Sequence, residues 1–245
     1  MLKSNKMRSL VIIPARLNST RFPGKPLINI NGKTMIQRVY EQVKKCKEIT
    51  DIIIATDDTK IYDHVKSFNG SVIMTLETHI SGTDRCNEVV KKVKKKYDII
   101  VNVQGDEPII NPKQISNIIN CFEDSSNEIV TLAKKISLNK IIEDPNTVKV
   151  SFNKKMIATS FYRTQQKIQK NSYKHIGIYG FKSEILSQIC KLPYSENEVK
   201  NKLEQLRWLD NGYQIKIAKT DFDSIAIDTK KDLNNLLENY SNQLS

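Results

Sequence analysis

Three cationic side chains follow an apolar run near the start of the chain. Arg16, Arg21 and Lys25 come after Leu10–Ile13, whose continuous apolar character is typical of a strand buried on both faces of a parallel sheet. Pro14 cannot donate a hydrogen bond to a sheet, so we expect the strand to end there. Cations on a loop after a buried strand are suited to binding phosphate groups. The alternative is that they are solvated surface charges.

The loop that carries these cations is rich in turn-forming residues. Gly24 can adopt a positive φ angle or let a ligand approach the backbone closely. The segment contains neither the Gly-x-x-x-x-Gly-Lys-Ser/Thr motif nor the Gly-x-Gly-x-x-Gly motif, which argues against P-loop kinases and dinucleotide-dependent dehydrogenases. The turn-forming residues are Asn18, Ser19, Pro23, Gly24 and Pro26.

Acidic residues follow a second apolar run. The segment Asn102–Pro108 (NVQGDEP) contains Gln104, Asp106 and Glu107, and Gly105 allows a sharp turn between them. Mg²⁺ is bound by one or two carboxylates together with phosphate oxygens, so a carboxylate that faces a phosphate-binding loop is a candidate magnesium ligand. The alternative is that Asp106 caps the turn and Glu107 faces solvent.

A second carboxylate would complete such a site, and Asp228 is the candidate. It follows the apolar residues Ile225 and Ile227, and its alternative role is to cap the N-terminus of the last helix. Asp57 and Asp58 also follow an apolar run. We interpret these two as acidic residues that stabilise the N-terminus of a helix.

Polar residues at three further places could contact a ligand. Ser81–Arg85 (SGTDR) forms a junction between a strand and a helix, where hydroxyls and free amides can hold a base, ribose or phosphate, or simply cap the helix. His175 begins the apolar segment HIGIYGF, and Glu204 and Gln205 interrupt an apolar helical face. Such residues need partners, which a carboxylated sugar or the neighbouring backbone could provide. No histidine lies in a recognisable nucleophilic arrangement.

The elements that must position these residues alternate between strands and helices. Helical patterns fall between the apolar runs, with Thr34 and Asn111 near helix starts. This alternation predicts an α/β fold with a mixed, mainly parallel sheet flanked by helices, and loops after the first four strands that converge on one pocket. The predicted strands of the first half are Leu10–Ile13, Ile52–Ala55, Ser71–Met74, Ile99–Val103 and Ile129–Ala133.

The second half, from about Glu143, predicts strands of a more mixed or antiparallel kind. A polar excursion, Tyr162–Ser172, separates two of them. The length of 245 residues suits one domain, 1–245. The predicted strands are Asn146–Phe152, His175–Phe181 and Gln214–Ala218, and the predicted helices are Ser183–Leu192, Asn197–Asn211 and Lys230–Tyr240.

Composition limits the classes of partner. The net charge of +12 comes from scattered lysines, and the densest cluster, 91–96, has the spacing of a solvated helix face, so we expect no nucleic-acid partner. The four cysteines lie far apart, each in a stretch that we interpret as helical. No signal peptide or membrane-spanning run is apparent, so we expect a cytoplasmic protein without a membrane partner.

Several segments together resemble a known family, and the likeness covers nearly the whole chain. In order they are IIPARLNSTRFPGKPL, ATDD, the MT…SGTDR junction, VNVQGDEP, HIGIYGF, LEQLRWL and IDT…DL. They resemble the 3-deoxy-manno-octulosonate (Kdo) cytidylyltransferases, also called CMP-Kdo synthetases. The resemblance implies a glycosyltransferase-A-like nucleotidyltransferase fold, a homodimer, and the conversion of CTP and Kdo to CMP-Kdo and pyrophosphate for lipopolysaccharide biosynthesis.

The resemblance also implies roles for particular residues. Arg16 and Lys25 would hold the triphosphate, Asp106 and Asp228 would coordinate Mg²⁺, and Gln104 would contact the sugar or ribose. A nucleotide-binding half of about 8–135 and a sugar-binding and dimerisation part of about 145–220 follow from the same likeness. The residues implied to line the nucleotide site are Ser81, Gly82 and Arg85. Those implied to face the sugar acid are His175, Tyr179, Glu204 and Gln205.

The chain departs from the family pattern at two places. Where the family has Ser-Arg-x-x-Ile-Pro, this chain has Tyr162–Lys167, and where the family has Gly-Val-Asp-Thr-Pro, Ala226 replaces the glycine. A positive φ at Ala226 would cost about 1–2 kcal/mol and could shift Asp228. The alternatives are therefore the same reaction on a related acid such as 8-amino-8-deoxy-Kdo, a non-catalytic nucleotide-binding relative, or a nucleic-acid binder motivated only by the charge.

Overall fold

A mixed nine-stranded sheet runs through the part of the chain that the computed structural model describes, which is residues 7–18, 21–136, 147–163 and 173–244. Its strands are β1 (Ser9–Ala15), β4 (Asp51–Thr56), β5 (Val72–Met74), β6 (Ile99–Asn102), β7 (Ile129–Lys135), β8 (Lys149–Phe152), β9 (Ala158–Tyr162), β10 (Tyr173–Lys182) and β11 (Ile215–Lys219). A small separate pair is formed by β2 (Asn29–Ile30) and β3 (Lys33–Thr34).

Helices cover both faces of this sheet. Thr34 and Asn111 cap the N-termini of the first and fourth helices, as their positions in the sequence predict. The helices are α1 (Met35–Lys44), α2 (Thr59–Ser67), α3 (Gly82–Lys92), α4 (Pro112–Asn120), α5 (Ser183–Ile189), α6 (Glu196–Asn201), α7 (Gln205–Asp210) and α8 (Lys230–Asn239). None of the described helices is long and apolar enough to cross a membrane.

The strand order confirms the predicted fold class. Across the sheet the order is β11-β7-β10-β6-β1-β4-β5, and β8 and β9 extend it beside β10. Strand β1 pairs in parallel with both β4 and β6, β5 is parallel to β4, and β10 runs antiparallel between β6 and β7. The carboxyl ends of β1, β4, β5 and β6 therefore share one edge, where ligands bind in sheets of this kind.

The predicted end of the first strand at Pro14 is wrong by one residue. Pro14 pairs with Ala55, and Ala15 continues the ladder opposite Thr56. Ile12 is the last residue of β1 that pairs with β6, and its carbonyl accepts a bond from the amide of Val103. Ile12 and Pro14 point their backbone groups to the same side of β1, because alternate residues of a strand do so. The nitrogen of Pro14, which has no proton to donate, therefore faces the side where β6 no longer pairs with β1.

A second difference concerns the predicted helix Asn197–Asn211, which is two short helices. Lys202 stands between α6 and α7 with a left-handed φ of 53° and ends the first of them. Glu204 and Gln205 then begin the second helix, with Gln205 buried. The predicted strand Asn146–Phe152 begins at Lys149 among the described residues, and Asn146 lies outside them.

The helical assignment of the cysteines is correct in part. Cys86 lies within α3 and Cys121 begins a 3₁₀ turn, but Cys46 and Cys190 follow the ends of helices. All four thiols are free.

Two apolar clusters lie on opposite faces of the sheet, and β1 contributes alternate residues to each. Val11 and Ile13 pack on one face, and Leu10 and Ile12 pack on the other. Both faces of β1 are therefore buried, as its continuous apolar run predicts.

A third, smaller cluster lies under the loops at the carboxyl edge of the sheet. It joins Phe22, from the cationic loop, to Ile227, which precedes Asp228, and to Met35, Leu236 and Leu244 from the two flanking helices and the chain end. Burial of these side chains fixes two segments that are far apart in sequence at one place.

Arg38 connects the segments that form the third cluster. Its buried guanidinium donates to three backbone carbonyls, those of Ile30 at 2.6 Å, Leu244 at 2.7 Å and Asn31 at 2.8 Å. One side chain of α1 thus holds both the β2–β3 turn and the C-terminal segment.

Replacing this arginine tests how strongly the third cluster depends on it. Arg38→Met should destabilise the protein by about 2–4 kcal/mol, because three carbonyls lose charged donors in a buried setting. Urea unfolding followed by circular dichroism measures the change. The matched variant Lys33→Met, which removes an exposed ion pair with Glu41, should cost about 0.5 kcal/mol or less. Equal losses for the two variants would contradict the buried clamp.

Candidate active site

A cavity of about 400 Å³ opens at the carboxyl edge of the sheet. It is lined by the loops after β1 and β6, the N-terminus of α3 and the segment before α8. The predicted site residues that line it are Arg16, Lys25, Ser81, Gly82, Arg85, Gln104, Asp106 and Asp228. The predicted convergence of the loops after the first four strands is confirmed in part: the loops after β1, β5 and β6 contribute to the lining, whereas the loop after β4 does not.

Lys25 lies between the two carboxylates of the cavity. Its Nζ is 2.8 Å from Oδ2 of Asp106 and 3.0 Å from Oδ1 of Asp228, and Arg21 lies 3.1 Å from the other oxygen of Asp228. Burial alone lowers the pKa of Lys25, but attraction and hydrogen bonding by the two carboxylates outweigh it and raise that pKa above its ordinary value. The ammonium group is therefore firmly charged.

The backbone around Gly24 directs Lys25 into the cavity. Gly24 has φ of 71°, as its place in the turn predicts, and begins the 3₁₀ turn Lys25–Leu27. The amide of Gly24 donates to the carbonyl of Leu17, and the amide of Lys25 donates to that of Phe22. These bonds, together with the buried Phe22 ring, fix the backbone of the lysine.

Gly105 allows the loop of Asp106 to lie directly on β1. A Cβ at this position would stand 2.7 Å from the carbonyl oxygen of Pro14, closer than real Cβ contacts. Gly105 does not have a positive φ, so the requirement is close approach rather than an unusual backbone angle. The carbonyl of Asp106 in turn accepts the amide of Ile227 at 2.9 Å, which brings the segment of Asp228 to the same loop.

Asp228 does not cap the last helix, contrary to the alternative considered from the sequence. Thr229 is the N-cap of α8, in a capping box with Asp232. The carboxylate of Asp228 is thereby available to the cavity. Ala226 is not among the residues with positive φ, so the strain that a replaced glycine could have imposed there does not arise.

The N-terminus of α3 forms another wall of the cavity. Ser81 caps the helix by accepting from the amide of Asp84, and Arg85 is buried one turn further on. The guanidinium of Arg85 is held by Asp57 at 2.6 Å and by the hydroxyl of Thr75. The interpretation of Asp57 as a helix-end residue is thus wrong, whereas Asp58 does cap α2.

The four residues implied to face a sugar acid lie outside the lining of this cavity. His175 is buried, its Nε2 is 3.0 Å from the hydroxyl of Thr131, and its ring packs against Phe161 and Tyr179. Burial lowers the pKa of His175 to about 3, so the ring is neutral. Burial and the nearby Glu204 raise the pKa of Tyr179.

Glu204 connects this aromatic group to the cavity wall. Its Oε2 accepts a 2.7 Å hydrogen bond from Thr83, the residue after Gly82 in α3. Burial raises the pKa of Glu204, although bonds from Thr83 and Ser81 act in the opposite direction. Gln205 is buried at the start of α7 beside it. The four residues therefore form a layer behind the N-terminus of α3, in which His175, Tyr179 and Gln205 are buried and the Glu204 side chain is partly exposed, rather than part of the charged cavity.

Two residues at or behind the site were not singled out from the sequence. Asn102 ends β6 behind Gly82 and does not line the cavity, and its buried Oδ1 has no hydrogen-bond partner among the described residues. Its place within NVQGDEP was the available signal. Asn18 lines the cavity from the cationic loop and was noted only as a turn former.

Glu107 is buried and does not face solvent. Burial and repulsion from Asp106 raise the pKa of Glu107 to about 7, and a hydrogen bond from Ser224 opposes the rise. Its Oε2 has no hydrogen-bond partner within the described part of the chain. Of these two neighbouring acidic residues, only Asp106 lines the cavity, and Glu107 is packed in the protein interior.

The donor set of the cavity suits a divalent cation that arrives with a polyphosphate. Asp106 and Asp228 converge on one point, marked by the Nζ of Lys25. The described residues contain no cluster of three or more histidine, cysteine or acidic side chains placed to hold a metal ion. Two carboxylates with open positions for phosphate oxygens and water match the preference of Mg²⁺.

Comparison with known proteins assigns the chain to a family. A family model described as Cytidylyltransferase matches residues 10–217. The 3-deoxy-manno-octulosonate cytidylyltransferase of Parabacteroides distasonis is 45% identical over 252 residues, which cover 97% of this chain and 100% of that protein. The chain belongs to the 3-deoxy-manno-octulosonate cytidylyltransferase family.

Two further relatives of the family are informative. The solved structure of CMP:2-keto-3-deoxy-manno-octonic acid synthetase complexed with CTP has a TM-score of 0.90 to this protein and 35% identity, and the match covers 96% of this chain and 99% of that chain. The 8-amino-3,8-dideoxy-manno-octulosonate cytidylyltransferase of Shewanella sediminis is 42% identical, over 93% of this chain and 96% of that protein.

The segment that departs from the family pattern is described only at its start. Tyr162 ends β9, and the carbonyl of Arg163 accepts a 2.8 Å bond from Lys149. The rest of the predicted excursion, 164–172, lies outside the described residues.

The close approach at Gly105 gives a specific expectation for cytidylyltransferase activity. Gly105→Ala should lower kcat/KM by about 100-fold, since its Cβ would push against the Pro14 carbonyl and displace Asp106. Steady-state kinetics measures the loss. Gly177→Ala is the control, because no atom lies within 4 Å of its added Cβ, and it should retain near-normal activity. Normal activity of Gly105→Ala would refute the close-approach argument.

Buried His175 predicts a pH effect on stability. Because its pKa is lowered from 6.5 to about 3, the unfolded chain binds a proton that the folded chain does not, and stability should fall as the pH drops from 6.5 toward 3. Urea unfolding at several pH values should give a shallower decline for His175→Asn than for the natural protein. Parallel pH profiles would show that His175 is protonated when folded.

Proposed function

We propose that this protein transfers CMP from CTP to 3-deoxy-D-manno-octulosonate, giving CMP-Kdo and pyrophosphate. The observation that carries the proposal is the cavity in which Arg16, Arg21 and Lys25 face Asp106 and Asp228. The resemblance in fold to a synthetase complexed with CTP supports the nucleotide, and the names of the relatives support the acid.

The cations of the cavity would bind the triphosphate. Arg16 and Lys25 lie on the same loop, and a polyphosphate bound along it would be held by both. In the transfer, the anomeric hydroxyl of the acid attacks the α-phosphorus and pyrophosphate leaves with added negative charge. Cations fixed in advance around the leaving group lower the barrier to that step without any covalent enzyme intermediate.

Mg²⁺ is the proposed cofactor, held by Asp106 and Asp228. When bound it would supply charge neutralisation for the phosphate oxygens and a template for their in-line geometry. The protein contributes the convergence of the two carboxylates, which the Asp106 carbonyl and the Ile227 amide enforce through their hydrogen bond. Gln104, whose amide lies 3.5 Å from the carbonyl of Gly177, would contact the ribose or the acid.

The acid would bind toward α3, on the side where Glu204 and Thr83 meet. Ser81 and Gly82, which the family resemblance assigns to the nucleotide, line the cavity next to this side, and the layer behind them contains the neutral His175 and the buried Tyr179. The hydroxyl groups of the acid need hydrogen-bond donors and acceptors, and a buried wall strengthens each such bond.

A homodimer in the cytoplasm, acting in lipopolysaccharide biosynthesis, is proposed from the family resemblance. Light scattering coupled to size-exclusion chromatography measures the mass of the assembly against the 28.2 kDa chain.

A second candidate substrate is 8-amino-8-deoxy-Kdo. Relatives named for that acid are 41–42% identical, only slightly less than the 43–46% of relatives named for Kdo. The segment Tyr162–Lys167, which departs from the family pattern, is where we would locate such a difference in substrate.

Pyrophosphate release with CTP and Mg²⁺ tests the proposal. Release is expected with Kdo, and Asp106→Asn should reduce it by about 100-fold or more because one metal ligand becomes neutral. The matched control Asp124→Asn, at an exposed turn bonded to Ser126, should leave the rate unchanged. Release only with the 8-amino acid would assign the second substrate. Release with neither, despite CTP binding, would favour a non-catalytic relative.

A further inference from the structure

We propose that Lys25 acts as an internal counter-ion that occupies the convergence point of Asp106 and Asp228, so that a divalent cation binds tightly only together with the nucleotide. The inference rests on the proposed function, because it concerns the metal that the two carboxylates would hold. It adds a second role for Lys25, before the triphosphate binds. It also predicts that the divalent cation does not bind tightly ahead of the nucleotide.

The geometry places the ammonium group where a shared cation would lie. Nζ is 2.8 Å from one carboxylate and 3.0 Å from the other, and the lysine side chain is only 13% exposed. A cation bonded to both carboxylates must approach this same point. Lys25 and a divalent ion therefore compete for the two oxygens that face this point, Oδ2 of Asp106 and Oδ1 of Asp228.

The charges around the point are already balanced. Asp106 and Asp228 carry two negative charges, and Lys25 and Arg21 carry two positive charges within hydrogen-bond distance of them. A divalent cation that arrives alone must displace the ammonium group and leave it half-buried without an acceptor. An unpaired charge in such a setting is costly, so binding of the metal alone should be weak.

A nucleotide removes this cost because it provides new acceptors for the displaced lysine. The cavity beside Lys25 also contains Arg16 and is the proposed place of the triphosphate. The backbone of Lys25 is fixed by the bonds of its amide to Phe22 and of its carbonyl to Ile28. The exchange therefore needs only rotation of the lysine side chain, from the carboxylates to the phosphates, with no movement of the loop.

Arg21 provides a matched comparison within the same site. It carries the same charge and contacts Asp228, but its side chain is 64% exposed and its ion pair is with the outer oxygen of that carboxylate. Removing Arg21 changes the net charge of the site as much as removing Lys25 does. Only removal of Lys25 frees the point between the carboxylates.

Binding of Mn²⁺ without nucleotide, followed by the paramagnetic resonance signal of the free ion, tests the proposal. Lys25→Met should bind Mn²⁺ about tenfold or more tightly than the natural protein, since the competing ammonium group is gone. Arg21→Met should change the affinity by about threefold or less, as expected for an exposed ion pair. Lys25→Gln, which keeps a polar side chain but no charge, should show the same gain if Lys25→Met fails to fold.

A lysine that only supports the structure would give the opposite sign, because disordered carboxylates would bind Mn²⁺ more weakly. Equal or weaker binding by both Lys25 variants would overturn the proposal. So would a gain that survives Asp106→Asn in the Lys25→Met background, since the ion would then bind elsewhere. Failure of the proposed function is distinguishable, because it would abolish pyrophosphate release while leaving the Mn²⁺ affinities of the nucleotide-free proteins as expected.

Discussion

The site depends on bringing two carboxylates from distant segments to one point. Asp106 follows β6 and Asp228 precedes α8, and like charges this close repel each other unless a cation lies between them. Lys25 supplies that cation from a third segment, at 2.8 and 3.0 Å. Each of the three loops therefore contributes one charge to this group, and the charges of all three are satisfied together.

Charge attraction alone would not fix these loops, because ion pairs near solvent contribute little to stability. The apolar side chains beneath them do so: Phe22 lies three residues before Lys25 and Ile227 one residue before Asp228, and both are buried in one cluster. Arg38 closes that cluster with three bonds to backbone carbonyls. The third cluster thus fixes the loops of the site, as the two large clusters fix the strands of the sheet.

Much of this arrangement could be predicted from the sequence, because local patterns determine it. Apolar runs identified eight of the described strands but not β9 or the short pair β2 and β3, and Gly24 identified the turn before Lys25. The errors arose where tertiary contacts decide between local alternatives. Pro14 stays in β1 because its neighbour strand has ended, Asp57 pairs with Arg85 rather than with a helix end, and Thr229 caps α8 in place of Asp228. No local pattern shows which partner a charged residue will meet.

The site divides into a charged half and a neutral half, and this division follows from the chemistry proposed for it. The triphosphate is a polyanion, and negative charge increases on its pyrophosphate group as that group leaves. Cations and carboxylates therefore lie at the open cavity, where water screens the charges that the protein does not pair. The attacking group is a hydroxyl on a polyhydroxylated acid, which needs oriented hydrogen bonds. Burial keeps His175 neutral, and the layer that includes buried Tyr179 and partly exposed Glu204 meets the cavity at α3, where the two halves share a wall.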